Sequence, residues 1–242
     1  MVTLADCERT QHAWFKAQAA ATGGRAFGTY GMDWVWLPES REMLCMFPTG
    51  ITDAGLLPAM AEAERRGAAA VGVWLNAAVK STELERHRFE RGWQPWWMTA
   101  PVGPGPAGPD AGGVKTGGPG ARDRDDRVRI DTPADGVCSL DPPQAWLATA
   151  RTGAEWAGQS YLFMPPDQGT KHLAGIFDMY VAPEHRRAGL GTALLDCLSE
   201  TASDAGAEHL LLNATPEGLQ LYRGRGFQLI GKGRTWWHHL PQ

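Results

Sequence analysis

The sequence predicts a mixed α/β architecture, an α+β mixed sheet with helices against it, arranged as two lobes. Three observations support this. The C-terminal half reads as strand, helix, strand, helix, strand. A tract at 101–129, "PVGPGPAGPDAGGVKTGGPGARDRDDRVR", is dominated by proline and glycine and contains no aromatic residue. Such a segment buries too little apolar surface to offset the entropy of ordering it. Finally, "GVWLNAAVKSTELERHRFERGW" in the first half echoes "LLLNATPEGLQLYRGRGF" in the second: a strand ending in Leu-Asn-Ala, a short helix, then Arg-Gly-aromatic. The expected division is a lobe at 1–100, a flexible linker at 101–129 and a second lobe at 130–242, the first a degenerate repeat of the second.

The first lobe opens with a helical stretch near Leu4–Ala21. "DWVWL" and "EMLCMF" alternate as strands, with "PES" as the turn between them. Asp53 caps a helix that runs to Arg66 and stops at Gly67. "AAAVGVWLN" reads as a buried strand, "ELERHRFER" as a helix capped by Ser81 or Thr82, and "WQPWWMT" as a proline-interrupted strand. In the second lobe "QAWLATAR" and "EWAGQSYLFM" form a hairpin across Thr152-Gly153. "AGIFDMYV" is a near-continuous apolar strand, expected to be covered on both faces. A helix from Gly191 to about Ala205, the strand "HLLLNA", and a helix opened by Thr215-Pro216 follow. "FQLIGKG" and "RTWWHHL" close the chain as a strand or hairpin.

Composition excludes several classes. With 43% hydrophobic and 21% charged residues the 242-residue chain is ordinary globular material. A net charge of -4 with no basic stripe argues against a nucleic-acid partner. No signal peptide and no apolar run of spanning length is visible, so no membrane partner is expected. Four cysteines, Cys7, Cys45, Cys138 and Cys197, lack metal-ligand or disulfide-framework spacing. They fit a reducing cytoplasm and suggest no metal. Eleven tryptophans supply core and inter-lobe packing or, alternatively, an aromatic-walled substrate pocket.

The chemistry is concentrated in "YVAPEHRRAGLGTALL", Tyr180 to Leu195. A helix N-terminus has unsatisfied N–H groups and partial positive charge. Gly189 and Gly191 let backbone wrap closely around an oxyanion, and Arg186 and Arg187 add forked cationic donors. A phosphate or pyrophosphate ligand is predicted, against the plainer alternative of a glycine-rich turn. There is no Gly-Lys-Ser/Thr for a triphosphate loop, and Arg186 stands where a dinucleotide fingerprint has its first glycine.

The motif Arg186-x-x-Gly189-x-Gly191, followed by "LLLNATPEGLQLYRGRGF", resembles the GNAT acyltransferase superfamily. The resemblance covers roughly 140–240 and implies a GNAT acyl-CoA N-acyltransferase fold, here in tandem with a degenerate N-terminal GNAT-like lobe. It implies that acetyl-CoA is the acyl donor, its pantetheine arm paired along Met179, Tyr180 and Val181. The pyrophosphate would lie on Arg186, Arg187, Ala188, Gly189, Leu190, Gly191 and Thr192. Asn213 would lie near the splayed joint through which the thioester enters, and Tyr222 would protonate the departing thiolate. Thr215 stands where the family often has Asn.

The general base is not marked by the motif. Asp178 is the first choice, with strand alternation against Met179 deciding its face, and Glu184, His172, His238 and His239 are runners-up. In the first lobe no Arg-x-x-Gly-x-Gly precedes the helix, and Arg88 occupies the tyrosine's place counted back from Gly92. The resulting expectation is a cytoplasmic N-acetyltransferase that moves a short acyl group to a small-molecule primary amine by direct attack, and a homodimer is compatible with it. A non-catalytic acyl-CoA sensor, or an enzyme using a carrier-protein or aminoacyl-tRNA donor, are the alternatives.

Overall fold

The computed structural model describes residues 1–103, 125–131, 136–141, 144–166 and 172–241. Helix α1 (Leu4–Ala21) starts in a capping box. The Thr3 hydroxyl accepts from the Asp6 amide, and the Asp6 carboxylate accepts from the Thr3 amide. Three antiparallel strands follow: β1 (Arg25–Thr29), β2 (Met32–Leu37) and β3 (Glu42–Met46). Helix α2 (Asp53–Arg65) crosses over to β4 (Ala70–Asn76), which runs parallel to β3. A short helix α3 (Thr82–Arg86), a two-residue strand β5 (Glu90–Arg91) and β6 (Trp96–Pro101) complete the first half.

The second half repeats the plan. β7 (Val128–Asp131), β8 (Gln144–Thr152), β9 (Glu155–Met164) and β10 (Leu173–Val181) are antiparallel neighbours. Helix α4 (Leu190–Asp204) then leads to β11 (His209–Ala214), parallel to β10. Helix α5 (Leu219–Arg223) and a single twelve-residue strand β12 (Gln228–His239) end the chain. The unit β3–α2–β4 thus matches β10–α4–β11.

All twelve strands join one sheet, in the order β1-β2-β3-β4-β12-β6-β11-β10-β9-β8-β7, with β5 beside β12. The centre of that order mixes the lobes. Strand β6, from the first half, pairs with β11 and with Gln228–Lys232 of β12. The rest of β12, Gly233–His239, leaves the second lobe and pairs with β4, while Trp236 and Trp237 pair with β5. Each half therefore supplies the other with a strand. The division expected from sequence is not a division of the sheet. The linker expectation at 101–129 lies mostly outside the described residues, with Pro101 closing β6 and Val128 opening β7.

Burial follows strand alternation. Ile176, Leu210 and Leu212 pack under Leu194 and Leu198 of α4, and Val71, Val73 and Leu75 under Leu56 and Ala63 of α2. Their neighbours Phe177, Leu211 and Trp74 face the other way, toward α1. There Trp14 stacks on Phe177 with ring centroids 4.7 Å apart. With α2 and α4 on one face and α1 on the other, the central strands are apolar on both faces, as their continuous runs predict.

Several local expectations shift. "FQLIGKG" and "RTWWHHL" form one strand rather than a hairpin, because its two ends answer to different lobes. Thr52, not Asp53, caps α2. "ELERHRFER" is helical only to Arg86, in a five-residue helix that begins at Thr82, before the chain turns into β5. Thr215 does accept from the Gly218 amide at 3.3 Å, although the helix proper begins at Leu219.

Candidate active site

Strands β10 and β11 pair only from Leu173↔His209 to Gly175↔Leu211. Beyond Gly175, β10 stays with β9 while β11 stays with β6, so the sheet opens. The opening leads to the N-terminus of α4 and forms a cleft of about 960 Å³.

The α4 joint is built to leave amides free. Gly189 is the N-cap, with φ 81°, and no side chain caps the helix. The amides of Leu190, Gly191 and Thr192 fall in the first turn, where a helix supplies no carbonyl partner. Arg187 also has positive φ, 66°, so the backbone curls twice within three residues. A Cβ on Gly191 would come within 3.3 Å of Leu221, so glycine keeps the wall close. The Arg186 guanidinium is tied back to the Val181 carbonyl at 3.0 Å. A third arginine stands here that the sequence did not single out. Arg127 donates to the Ala188 carbonyl at 3.1 Å and is itself held by Asp125. Its only sequence signal was a mixed-charge run that reads as a solvated linker end. Partial helix charge, open amides and the guanidiniums of Arg186 and Arg187 make a cradle that suits an anion, while Arg127, paired with Asp125, braces Ala188 beside it.

Two proton-handling groups face the cleft. Tyr222, on α5, is 7% exposed and packs edge-on against Phe227. Burial pushes its phenol up to about 12, so it stays protonated across the physiological range. Asp178 sits at a β-bulge, since Phe177 pairs with Tyr161 but Tyr180 with Gln159. It has φ 51°. The bulge breaks alternation, and Asp178 and Met179 both line the cleft instead of opposite faces. Asp178 is exposed, and it lines both this cleft and a second cavity. Burial raises its carboxyl above the ordinary range, and a 3.4 Å hydrogen bond from Gln18 partly offsets this.

The residues expected at the site come together. Asp178, Met179, Tyr180, Val181, Arg186, Arg187, Gly189, Leu190, Gly191, Thr192, Asn213 and Tyr222 all line the cleft. Ala188 is not among the lining residues, its carbonyl being turned to Arg127. Of the other base candidates, His172 lies at the far end of β10 and His238 and His239 pair with β4 in the first lobe. Glu184, in a 3-10 turn at Pro183–His185, is exposed and does not line the cleft. The first lobe adds what sequence left open: Gln11, Phe15, Trp74 and Trp93 form the inner wall. Gln11 accepts from Asn213 at 2.5 Å, and Trp74 meets Trp93 edge-on at 5.5 Å. The tryptophans thus serve both core and pocket.

The equivalent place in the first lobe corrects one expectation. The Phe227 amide donates to the Tyr222 carbonyl, and the Phe89 amide donates to that of Leu84. Arg88, with φ 59°, then matches Gly226, with φ 84°. The residue standing where Tyr222 stands is Leu84, fully buried, and not Arg88. Counting from Gly92 misaligned the two because β5 intervenes.

A mixed sheet splayed beside an open helix terminus, with a phenol and a carboxylate on the cleft walls, has the makings of a group-transfer site. Residues 118–227 match the model of the acetyltransferase (GNAT) family. The whole chain shares the fold of solved proteins of that kind. A GCN5-related N-acetyltransferase from Kribbella flavida superposes with TM-score 0.62 at 12% identity, covering 98% of this chain and 96% of that one. A putative acetyltransferase of the GNAT family from Novosphingobium aromaticivorans gives 0.54 at 14%, covering 95% and 100%. A functionally unknown conserved protein from Staphylococcus epidermidis gives 0.56 at 10%, covering 91% and 96%. No curated protein matches the sequence. Among the described residues no group of three or more His, Cys, Asp or Glu is placed to hold a metal ion, and no helix is long and apolar enough to cross a membrane.

Proposed function

We propose that the chain is an N-acetyltransferase that moves an acetyl or other short acyl group from CoA to a primary amine of a small molecule by direct attack. The observation that carries this reading is the meeting of three things in one cleft: the uncapped amides of Leu190–Thr192, the Tyr222 phenol and the Asp178 carboxylate. Acetyl-CoA would supply an activated thioester. Its pyrophosphate suits the α4 cradle, with Arg186 and Arg187 as countercharges, and its arm suits the edge of β10 from Met179 to Val181.

Asp178 takes a proton from the acceptor ammonium, leaving a neutral nitrogen. That nitrogen attacks the thioester carbonyl; the C–N bond forms and the C–S bond breaks. Tyr222 gives its proton to the departing sulfur, the nitrogen sheds its second proton to reload the Tyr222 phenolate, Asp178 releases its proton to solvent, and the products are an amide and a free thiol. Holding donor and acceptor side by side at Asp178 lowers the entropic barrier, and proton transfer from a positioned group adds about 100-fold or more. The raised phenol keeps this acid loaded at neutral pH.

The test is thiol release from acetyl-CoA with a panel of primary amines, for the native chain and Tyr222→Phe. Turnover that falls by about 100-fold in the variant, with CoA binding retained, is expected. Tight CoA binding with no turnover on any amine would establish a sensor instead.

A further inference from the structure

A second cavity, of about 610 Å³, lies on the other side of Asp178. Phe15 and Asp178 line both cavities, so the two share a wall made by α1 and the β10 bulge. Gln18, which donates to Asp178, faces the second cavity alone. The described residues around that cavity include three carboxylates, Glu39, Glu42 and Asp178, and no lysine, arginine or histidine. The whole chain carries a net charge of only -4, so this bias is local.

We propose that the second cavity is the acceptor site and that the acceptor is a dication, its reacting amine at Asp178 and its second ammonium at Glu39 and Glu42. This rests on the acetyl-transfer reading and names the class of amine. The α4 cradle and the Met179–Val181 edge commit the first cleft to the donor, so the nucleophile needs a separate approach to the same carboxylate. The second cavity provides it. Phe15, Leu147 and Tyr161 give apolar wall for a hydrocarbon spacer, and the carboxylates lie along the β2–β3 turn and the start of β3. Glu42 is held in a partly buried position that raises its carboxyl, with Ser40 and His239 partly compensating. A bound ammonium would offset that desolvation. All the carboxylates but Asp178 come from the first lobe, which gives the donor-silent repeat a task in the reaction.

The experiment compares n-alkylamines with α,ω-diaminoalkanes of equal length, from butyl to hexyl, by thiol release and by calorimetric binding to the protein–CoA complex. Diamines are expected to exceed monoamines in kcat/KM by about tenfold or more, the scale of a charge-assisted hydrogen bond. Glu42→Gln, and separately Glu39→Gln in the exposed turn, should shrink that ratio, with CoA binding reporting that each variant is folded. A diamine-to-monoamine ratio near one, or a ratio untouched by both variants, overturns the proposal and leaves acetyl transfer standing. If no amine turns over, diamine binding that weakens in Glu42→Gln upholds the cavity and sinks the catalytic reading. Absence of such binding sinks both.

Discussion

The joints β3–α2 and β10–α4 occupy the same place in two copies of one plan, yet only one leaves its helix amides without a side-chain cap. At the first, the Thr52 hydroxyl accepts from the Gly55 amide, so the helix caps itself. Asp53 adds a negative charge to the first turn, and Phe47 folds in against Trp74 and Trp97. At the second, Gly189 offers no side chain, arginines replace the acid, and β10 runs on past its last pairing with β11 to leave an open cleft. At Tyr222 of α5, and at the matched Leu84 of α3, the contrast recurs as phenol against leucine. A helix terminus becomes a binding site when its sequence withholds the cap that would otherwise satisfy it.

The largest test of this contrast is Tyr222→Phe, for which thiol release should fall by about 100-fold or more while the donor still binds. Leu84→Tyr in the other lobe should add no activity, since no anion cradle faces it. Retained turnover in Tyr222→Phe would mean that another group protonates the sulfur.

Next come paired changes at the two caps. Gly189→Val places a β-branched side chain at φ 81° and should weaken CoA binding by about tenfold or more, read by calorimetry. Thr52→Ala should leave CoA affinity alone and instead cost about 1 kcal/mol of stability, read by denaturant melts. An exchange of those phenotypes would reverse the assignment of roles.

A smaller effect concerns pH. Burial raises the Asp178 carboxyl, so the acid limb of kcat/KM should lie above the ordinary carboxylate range, and Asp178→Asn should abolish the limb together with most of the rate. The linked effect on stability has the opposite sense. A carboxyl raised by folding favours the protonated folded state, and that stability is lost as pH rises through the raised value. Asp178→Asn should therefore be at least as stable as the native chain at neutral pH. Tyr222, pushed up to about 12, should contribute no alkaline limb below that value.

The smallest effect is at Arg88, which holds φ 59° where the other lobe has Gly226. Arg88→Gly should relieve backbone strain of about 1 kcal/mol, raising the melting point slightly without touching activity.

How much of this was legible differs by residue. Arg186-x-x-Gly189-x-Gly191 and Tyr222 are local patterns, and the chain displays them in order. The apolar run of β10 announced burial on both faces, and that of β4 a buried strand. The bulge at Asp178 left no such mark, because the near-continuous apolar run "IFDMYV" has no alternation to interrupt and only the pairing with β9 reveals the extra residue. Arg127 was hidden in a charged run whose meaning depends on the fold bringing it to Ala188. The pairing of β6 with β11 joins residues more than a hundred positions apart, and no local propensity encodes such a choice of partner. Nor could the cleft's inner wall be read, since Gln11, Phe15, Trp74 and Trp93 converge from three separate elements of the first lobe.

The crossing of β6 and β12 has a consequence for the life of the molecule. Two chains that trade a strand form a swapped dimer, and here the swap is sealed within one polypeptide. Deleting the donor-silent half would strip β6 from beside β11, exposing a raw sheet edge under the active cleft. The first half is therefore tied into the sheet even though its own α2 terminus is capped by Thr52. A chain cut between 103 and 125 should stay assembled, its fragments parting only in denaturant.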